Sequence, residues 1–389
     1  MAITKVDSSM YEDVSGANNL VKLDANAKIP AGVATNLTNL PGSSTSASDP
    51  TVSSNKTLGT QWLNTTSGEM YICTDATAGE NVWKNVGAGS DNVAPATWYG
   101  GRGVIGGGKY NSYHNEIEYI TIATPGNSTD FGNLTVGRGM LSGLSSNTRG
   151  VFVGGYTDPY VDTIDYITIA TPGNAIDFGN LDQIKGYPAA CSSGYRGLIF
   201  SGQSNESGGS DQNVIQYITI ATPSNSTDFG DLTVGRHAPA ACNNETRGVC
   251  GSGHNMNIID YVTMATTGNA TDFGDRTISG YQLGACSNTT RGIFGGGTIV
   301  WTVTNTIDYI TIATPGNATD FGDLTVAKYD VCATSNNSRG IISPGLPYAQ
   351  LTVIDYITIA TTGNATDFGD CLVRGSAGNV TNAGACSGA

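Results

Sequence analysis

Proton transfer or metal binding in this chain would have to use three histidines, eight cysteines or the carboxylates that recur along it. His114, His237 and His254 stand far apart, and their spacing yields neither a Ser/His/Asp set nor a two-histidine–carboxylate grouping. The cysteines form no CxxC pair and have no histidine at ligand spacing, so no zinc site is expected. Asp130, Asp177, Asp228, Asp272, Asp320 and Asp367 are one position written six times. Asp165, Asp260, Asp308 and Asp355 are a second, with Glu118 and Gln216 in the two remaining copies. A substrate sits at one place, so a catalytic carboxylate must differ from its repeats. One present in every copy does a job every copy needs, such as accepting turn amides. Arg102, Arg149, Arg196, Arg247, Arg291 and Arg339 read the same way, each pairing with an acid or carbonyl of the neighbouring copy. The glycine clusters at 106–108 and 295–297 end strands rather than open helices, so they are not phosphate loops. No catalytic residue, cofactor or metal is expected.

The elements that carry these positions are repeated. IEYITIATPGNSTDFGNL recurs with its tyrosine at Tyr119, Tyr166, Tyr217, Tyr261, Tyr309 and Tyr356, and the six arginines open a second string before each copy. Within a unit, strand a is a short Ala-Cys-Ser segment (Ala240 to Asn243) and strand b the Arg-Gly-apolar run (Arg291 to Gly295). Strand c is the β-branched run from Ile307, and strand d follows Asp-Phe-Gly, as in Phe321 to Val326. One such sheet cannot bury both faces, so the six must pack around an axis. Cys191, Cys242 and Cys286, each five residues before an arginine, are expected at equivalent buried positions. Two segments compete for strand a of the first unit, Pro95 to Gly101 and the C-terminal run from Asn382 through Cys386. The latter either closes the ring or adds to an edge elsewhere, on this chain or another.

The double glycine ending strand b, and the basic residue before strand a (Arg138, Lys185, Arg236, Lys328, Arg374), resemble the kelch repeat. The fourth unit departs, with Ser279 and Gly280 there, and phenylalanine (Phe131 to Phe368) stands near strand d where many kelch units carry tryptophan. The resemblance implies an all-β chain: a six-bladed kelch-like β-propeller over 93–389, preceded by a small β-rich attachment and trimerisation region. That region divides into 1–48 and a three-stranded module over 49–92, with strands around Trp62 and Leu63, Met70 to Cys73, and Val82 and Trp83. Each piece is too small for a solitary core. The string Leu20-Val-Lys-Leu-Asp-Ala-Asn-Ala-Lys-Ile-Pro-Ala31 and the Gly59–Gly87 module resemble N-terminal segments of tailed-phage fibres and other virion proteins. The resemblance implies a homotrimer, assembled in the host cytoplasm into the virion, that contacts other virion proteins through its N-terminal region.

Eighteen basic against 32 acidic residues give a net charge of −14, which repels nucleic acid and anionic membranes; no apolar run is long enough for membrane insertion. Variation between units is confined to one side. The c–d turns are nearly invariant, whereas the b–c and d–a loops differ throughout. These loops carry Tyr113, Tyr156, Tyr160, Trp301 and Tyr348, bordered by Tyr187, Tyr281 and Tyr329. Flat rings beside amides suit sugars, so a host surface glycan is the expected ligand. The alternative is a capsid or tail decoration with no specific ligand. A glycan-cleaving enzyme lacks the unpaired carboxylates it needs, and sialidase-type Ser-x-Asp-x-Gly-x-Thr-Trp boxes are absent.

Overall fold

The computed structural model describes residues 43–86, 97–204, 210–300, 302–346, 352–372 and 382–389 and is all-β. It divides into two compact units, 1–95 and 96–389. In the first, the three expected strands, Gln61–Asn64, Met70–Asp75 and Val82–Asn85, form an antiparallel set. Ser43–Ser46 adds in parallel to Gln61–Asn64 as a fourth strand. Trp83, Tyr71 and Cys73 are buried on one face, with Trp62 edge-on to Trp83. The Leu20–Ala31 string lies outside the described residues.

The second unit contains six four-stranded antiparallel sheets, each in the order a-b-c-d. The five continuous sheets have strand a at Ser142–Ser145, Ala189–Ser192, Ala240–Asn243, Gly284–Ser287 and Ala333–Ser335. The first sheet takes strand a from the other end of the chain: Gly384–Gly388 pairs with Arg102–Gly106, Cys386 opposite Val104. Thr97–Gly101 forms no strand, and the Gly101 amide instead donates to the Ala389 carbonyl at 2.8 Å. Each strand a touches that of the next sheet, and Ala333–Ser335 and Ser142–Ser145 both touch Gly384–Gly388. Cys191, Cys242, Cys286 and Cys386 are buried at matching registers on strand a. The strand-b glycine explains the Arg-Gly pair: a Cβ on Gly292 would sit 2.5 Å from the Cys242 sulfur of the preceding sheet. Burial raises these thiols, Cys286 and Cys386 to about 12, so they are inert packing groups.

Three sets of bonds join each sheet to the next. Each repeated arginine lies over the tyrosine of its own strand c and donates to a carbonyl after strand c of the following sheet. The series runs from Arg102 to Ile169 (2.7 Å) through Arg339 to Ile122 (2.9 Å), so the sixth sheet is joined to the first. The c–d turn asparagines Asn127, Asn174, Asn225, Asn269, Asn317 and Asn364 accept a backbone amide from strand d of the preceding sheet at 3.0–3.1 Å. Finally, Met140, Tyr187, Ala238, Gln282, Asp330 and Asn382, all at positive φ, form a closed circuit of backbone hydrogen bonds. Each amide donates to the carbonyl of the previous member, and that of Met140 to Asn382, at 2.8–3.1 Å.

The second repeated carboxylate forms buried ion pairs across these seams. Asp165 meets Arg138 at 2.6 Å, Asp260 meets Arg236 at 2.9 Å, and Asp355 meets Lys328 at 3.1 Å. The fourth unit does not lack its cation: Arg276, three positions before Ser279, occupies a leucine position and meets Asp308 at 2.8 Å. Arg374 lies outside the described residues.

Lys185 is the exception, because Gln216 replaces the carboxylate. Its ammonium donates to the Val214 carbonyl and Gln212 Oε1, as Lys328 does to Val353, but meets no acid. Burial pulls its pKa from 10.5 down to about 7, the surrounding Asp228 and Asp231 offsetting part of the fall. The unfolded chain holds that proton until about pH 10.4, so it binds more protons than the folded chain between those values. Stability should therefore rise with pH from about 7 towards 10. Gln216→Glu restores the charge partner and removes the Gln216 Nε2 donor, which has no acceptor. Ser226 already donates to the Gln216 Oε1 it would bond. We expect thermal unfolding to show the variant more stable at pH 7 by about 1 kcal/mol and its pH slope flattened. An unchanged slope would mean that Lys185 is not the titrating group.

Candidate functional site

The b–c and d–a loops meet because the chain crosses from sheet to sheet beside them. Bridges tie Gly139 to Tyr156, Gly186 to Gln203, Tyr281 to Thr298 and Tyr329 to Leu346, each joining a d–a link to a b–c loop of the same sheet. These pairings hold side chains from different units on one continuous surface.

The aromatic residues gather there. Tyr113 lies edge-on to Tyr156 with ring centres 5.7 Å apart, and Tyr156 to Tyr160 at 4.8 Å. The Lys109 ammonium sits 4.8 Å from the Tyr113 ring. The Tyr156 hydroxyl donates to Asp158 (3.0 Å), which raises its pKa, and the Tyr160 hydroxyl to Gln203 Oε1 (2.7 Å). Tyr187 packs against His237, and Tyr281 against His237 and His254, with centres 5.6–6.2 Å apart. Tyr187 is raised chiefly by burial, with Asp330, Tyr160, Tyr113 and Tyr281 close enough to add repulsion. Tyr329 is raised by burial first and by Asp330 and Tyr281 next. Six of the eight expected tyrosines and tryptophan therefore share one surface, all half-buried. Trp301 and Tyr348 lie outside the described residues.

Beside this array the circuit of six positive-φ residues frames a cavity of about 90 Å³. Asp330 is buried in it with Oδ1 unpartnered, and burial lifts its carboxyl to about 7 against hydrogen bonds from Asn382 and Gln282. At the other end of strand a, Ser145, Ser192, Asn243, Ser287, Ser335 and Ser387 line a smaller space with Trp98, whose carbonyl accepts from Ser145 Oγ at 2.9 Å.

Sequence spacing gave no sign of one grouping. Asp211 at the start of strand c of the third sheet (Asp211–Thr219), His237 after its strand d and His254 in the b–c loop of the fourth converge. Gln203 connects them to the tyrosines, its Nε2 3.2 Å from His237 Nδ1. Both histidines lie in loops whose variability was evident, but convergence of three loops leaves no linear motif.

No protein-family model and no curated protein sequence matches the chain. Among the described residues, no helix is long and apolar enough to cross a membrane.

Proposed function

We propose that 96–389 is a closed six-bladed β-propeller whose loop face binds a host-surface glycan, carried on a virion fibre. Its N-terminal region would attach to other virion proteins as a homotrimer. One observation carries the binding reading. Tyr113, Tyr156, Tyr160, Tyr187, Tyr281 and Tyr329 form a half-buried array on the face where the units differ, while the nearly invariant c–d turns of the other face are occupied in holding neighbouring sheets. The closed-propeller reading rests on the cyclic contacts of strand a and on the arginine series returning to Ile122. The fibre and trimer readings rest on the N-terminal resemblance alone.

A sugar face on one tyrosine contributes on the order of 1 kcal/mol, so affinity needs several rings and several chains at once. Replacing Tyr156→Ala together with Tyr160→Ala should cut glycan-array binding and host adsorption by about tenfold or more, while the melting temperature shifts little. Asn364→Ala on the opposite face should do the reverse, lowering the melting temperature and sparing adsorption. If the tyrosine variants adsorb normally, the purely structural decoration is the better reading; polysaccharide cleavage by the wild type would instead make it an enzyme.

A further inference from the structure

Of the titratable groups that the proposed function does not use, one set has the chemistry of a ligand sphere. Asp211, His237 and His254 each place a ligand atom within 4.8 Å of the others'. His237 Nδ1 lies 2.6 Å from Asp211 Oδ1, and His254 Nδ1 3.9 Å from Oδ2, so both imidazoles address one carboxylate. Around a tetrahedral zinc-sized ion, ligand atoms about 2.1 Å from the metal lie roughly 3.4 Å from one another. The separations here, 2.6 and 3.9 Å to the two oxygens of one carboxylate and within 4.8 Å over the whole set, bracket that value.

The backbone holds the three segments together. The Arg236 amide donates to the Gln212 carbonyl and the His254 amide to the His237 carbonyl, both at 3.1 Å. A Cβ on Gly235 would sit 2.8 Å from the Asp211 carbonyl, so only glycine lets that link pass so close. The nearby Arg236 does not neutralise Asp211, because its guanidinium is buried against Asp260. Exposure runs from 13% at His237 through 26% at Asp211 to 50% at His254, leaving one side open to water or a ligand group.

The geometry points to a divalent transition-metal site formed by Asp211, His237 and His254. Two imidazoles and a carboxylate suit zinc, nickel or copper; calcium wants six to eight oxygens, and magnesium an octahedron of them. The ion would clamp the third sheet to the fourth, beside the rings of Tyr281 and Tyr187. Gln203, whose Nε2 lies 3.2 Å from His237 Nδ1 and whose Oε1 accepts from the Tyr160 hydroxyl, borders the site on the side of the tyrosine array. The site does not depend on the glycan reading.

Isothermal titration of the untagged full chain with ZnCl2 tests it, with CaCl2 as the contrast. Saturable one-to-one zinc binding is expected, with no calcium response. His237→Ala and His254→Ala should each weaken it by more than about tenfold. His254 is half exposed, so His254→Gln, checked by far-ultraviolet circular dichroism, decides the matter if His237→Ala disturbs folding. Cobalt substitution should give d–d bands without thiolate charge transfer. No saturable zinc binding, binding unaffected by both histidine variants, or a thiolate spectrum would each overturn the site.

Discussion

Deleting Asn382–Ala389 should abolish the cooperative unfolding transition of the 96–389 unit. All five residues of Gly384–Gly388 are buried, and the strand completes the first sheet against Arg102–Gly106 while touching strand a on either side. Its loss would also remove the Ser387 hydroxyl bond to the Ser335 carbonyl (2.6 Å) and open the circuit at Met140 and Asp330. The edge left at Arg102–Gly106 would carry unpaired amides and carbonyls on a β-prone sequence. The cost is comparable with the whole stability of a domain, about 5–15 kcal/mol. Thermal scans should show a broad transition or aggregation. A synthetic peptide spanning 382–389, added in trans, should restore part of the sharp one. A truncated chain melting like the full one would show that this strand is dispensable.

Gly322→Ala should be among the most damaging of single methyl additions. Gly322 has φ +146° and faces the next c–d turn so closely that a Cβ would lie 2.5 Å from the Gly363 carbonyl oxygen. The same approach, 2.4–2.6 Å, recurs at Gly132, Gly179, Gly230, Gly274 and Gly369, which explains the glycine of every Asp-Phe-Gly. Backbone cannot step aside as a side chain can, so strain and overlap together should cost about 3 kcal/mol or more. Gly316→Ala, in a c–d turn with open space around the added methyl, is the matched control and should stay within about 0.5 kcal/mol. Urea unfolding of the pair provides the measurement; equal losses would mean that the close approach is not what selects glycine.

What could be read in the chain was whatever repeats. Six arginines, six Asp-Phe-Gly strings and the matched cysteines located strands and seams, because each must satisfy the same local bonds in every copy, although Asp-Phe-Gly lies within strand d (Thr319–Asp323) rather than ahead of it. The choice between the two candidates for the first strand a needed three dimensions, since both strings are short and stand where a strand a could be placed; pairing with Arg102–Gly106 selects the C-terminal one. Arg276 escaped notice because it reaches Asp308 from a position that holds leucine in four other units. At the candidate site, loop variability pointed to the face and to its tyrosines. The Asp211–His237–His254 convergence lay beyond reach, since each residue is ordinary within its own loop.

The seams also come in two chemistries, and this bears on how such a chain can change length. Where the position four after the Phe of Asp-Phe-Gly is a threonine, at Thr135, Thr233, Thr277 and Thr325, its hydroxyl donates to Asp165, Asp260, Asp308 and Asp355 of the next sheet, whose turns carry Ala175, Ala270, Ala318 and Ala365. Where that position holds Asp182 or Leu372 instead, the next sheet has Gln216 or Glu118, and its own Ser226 or Ser128 supplies the hydroxyl. The units are therefore tiles with keyed edges. The fourth and fifth present the same key on both sides, so unequal recombination could exchange one for the other without a mismatched join. Excising the third would set Asp182 against Asp260, with no hydroxyl between them. Growth or loss of repeats in such a gene is steered towards the tiles whose edges agree.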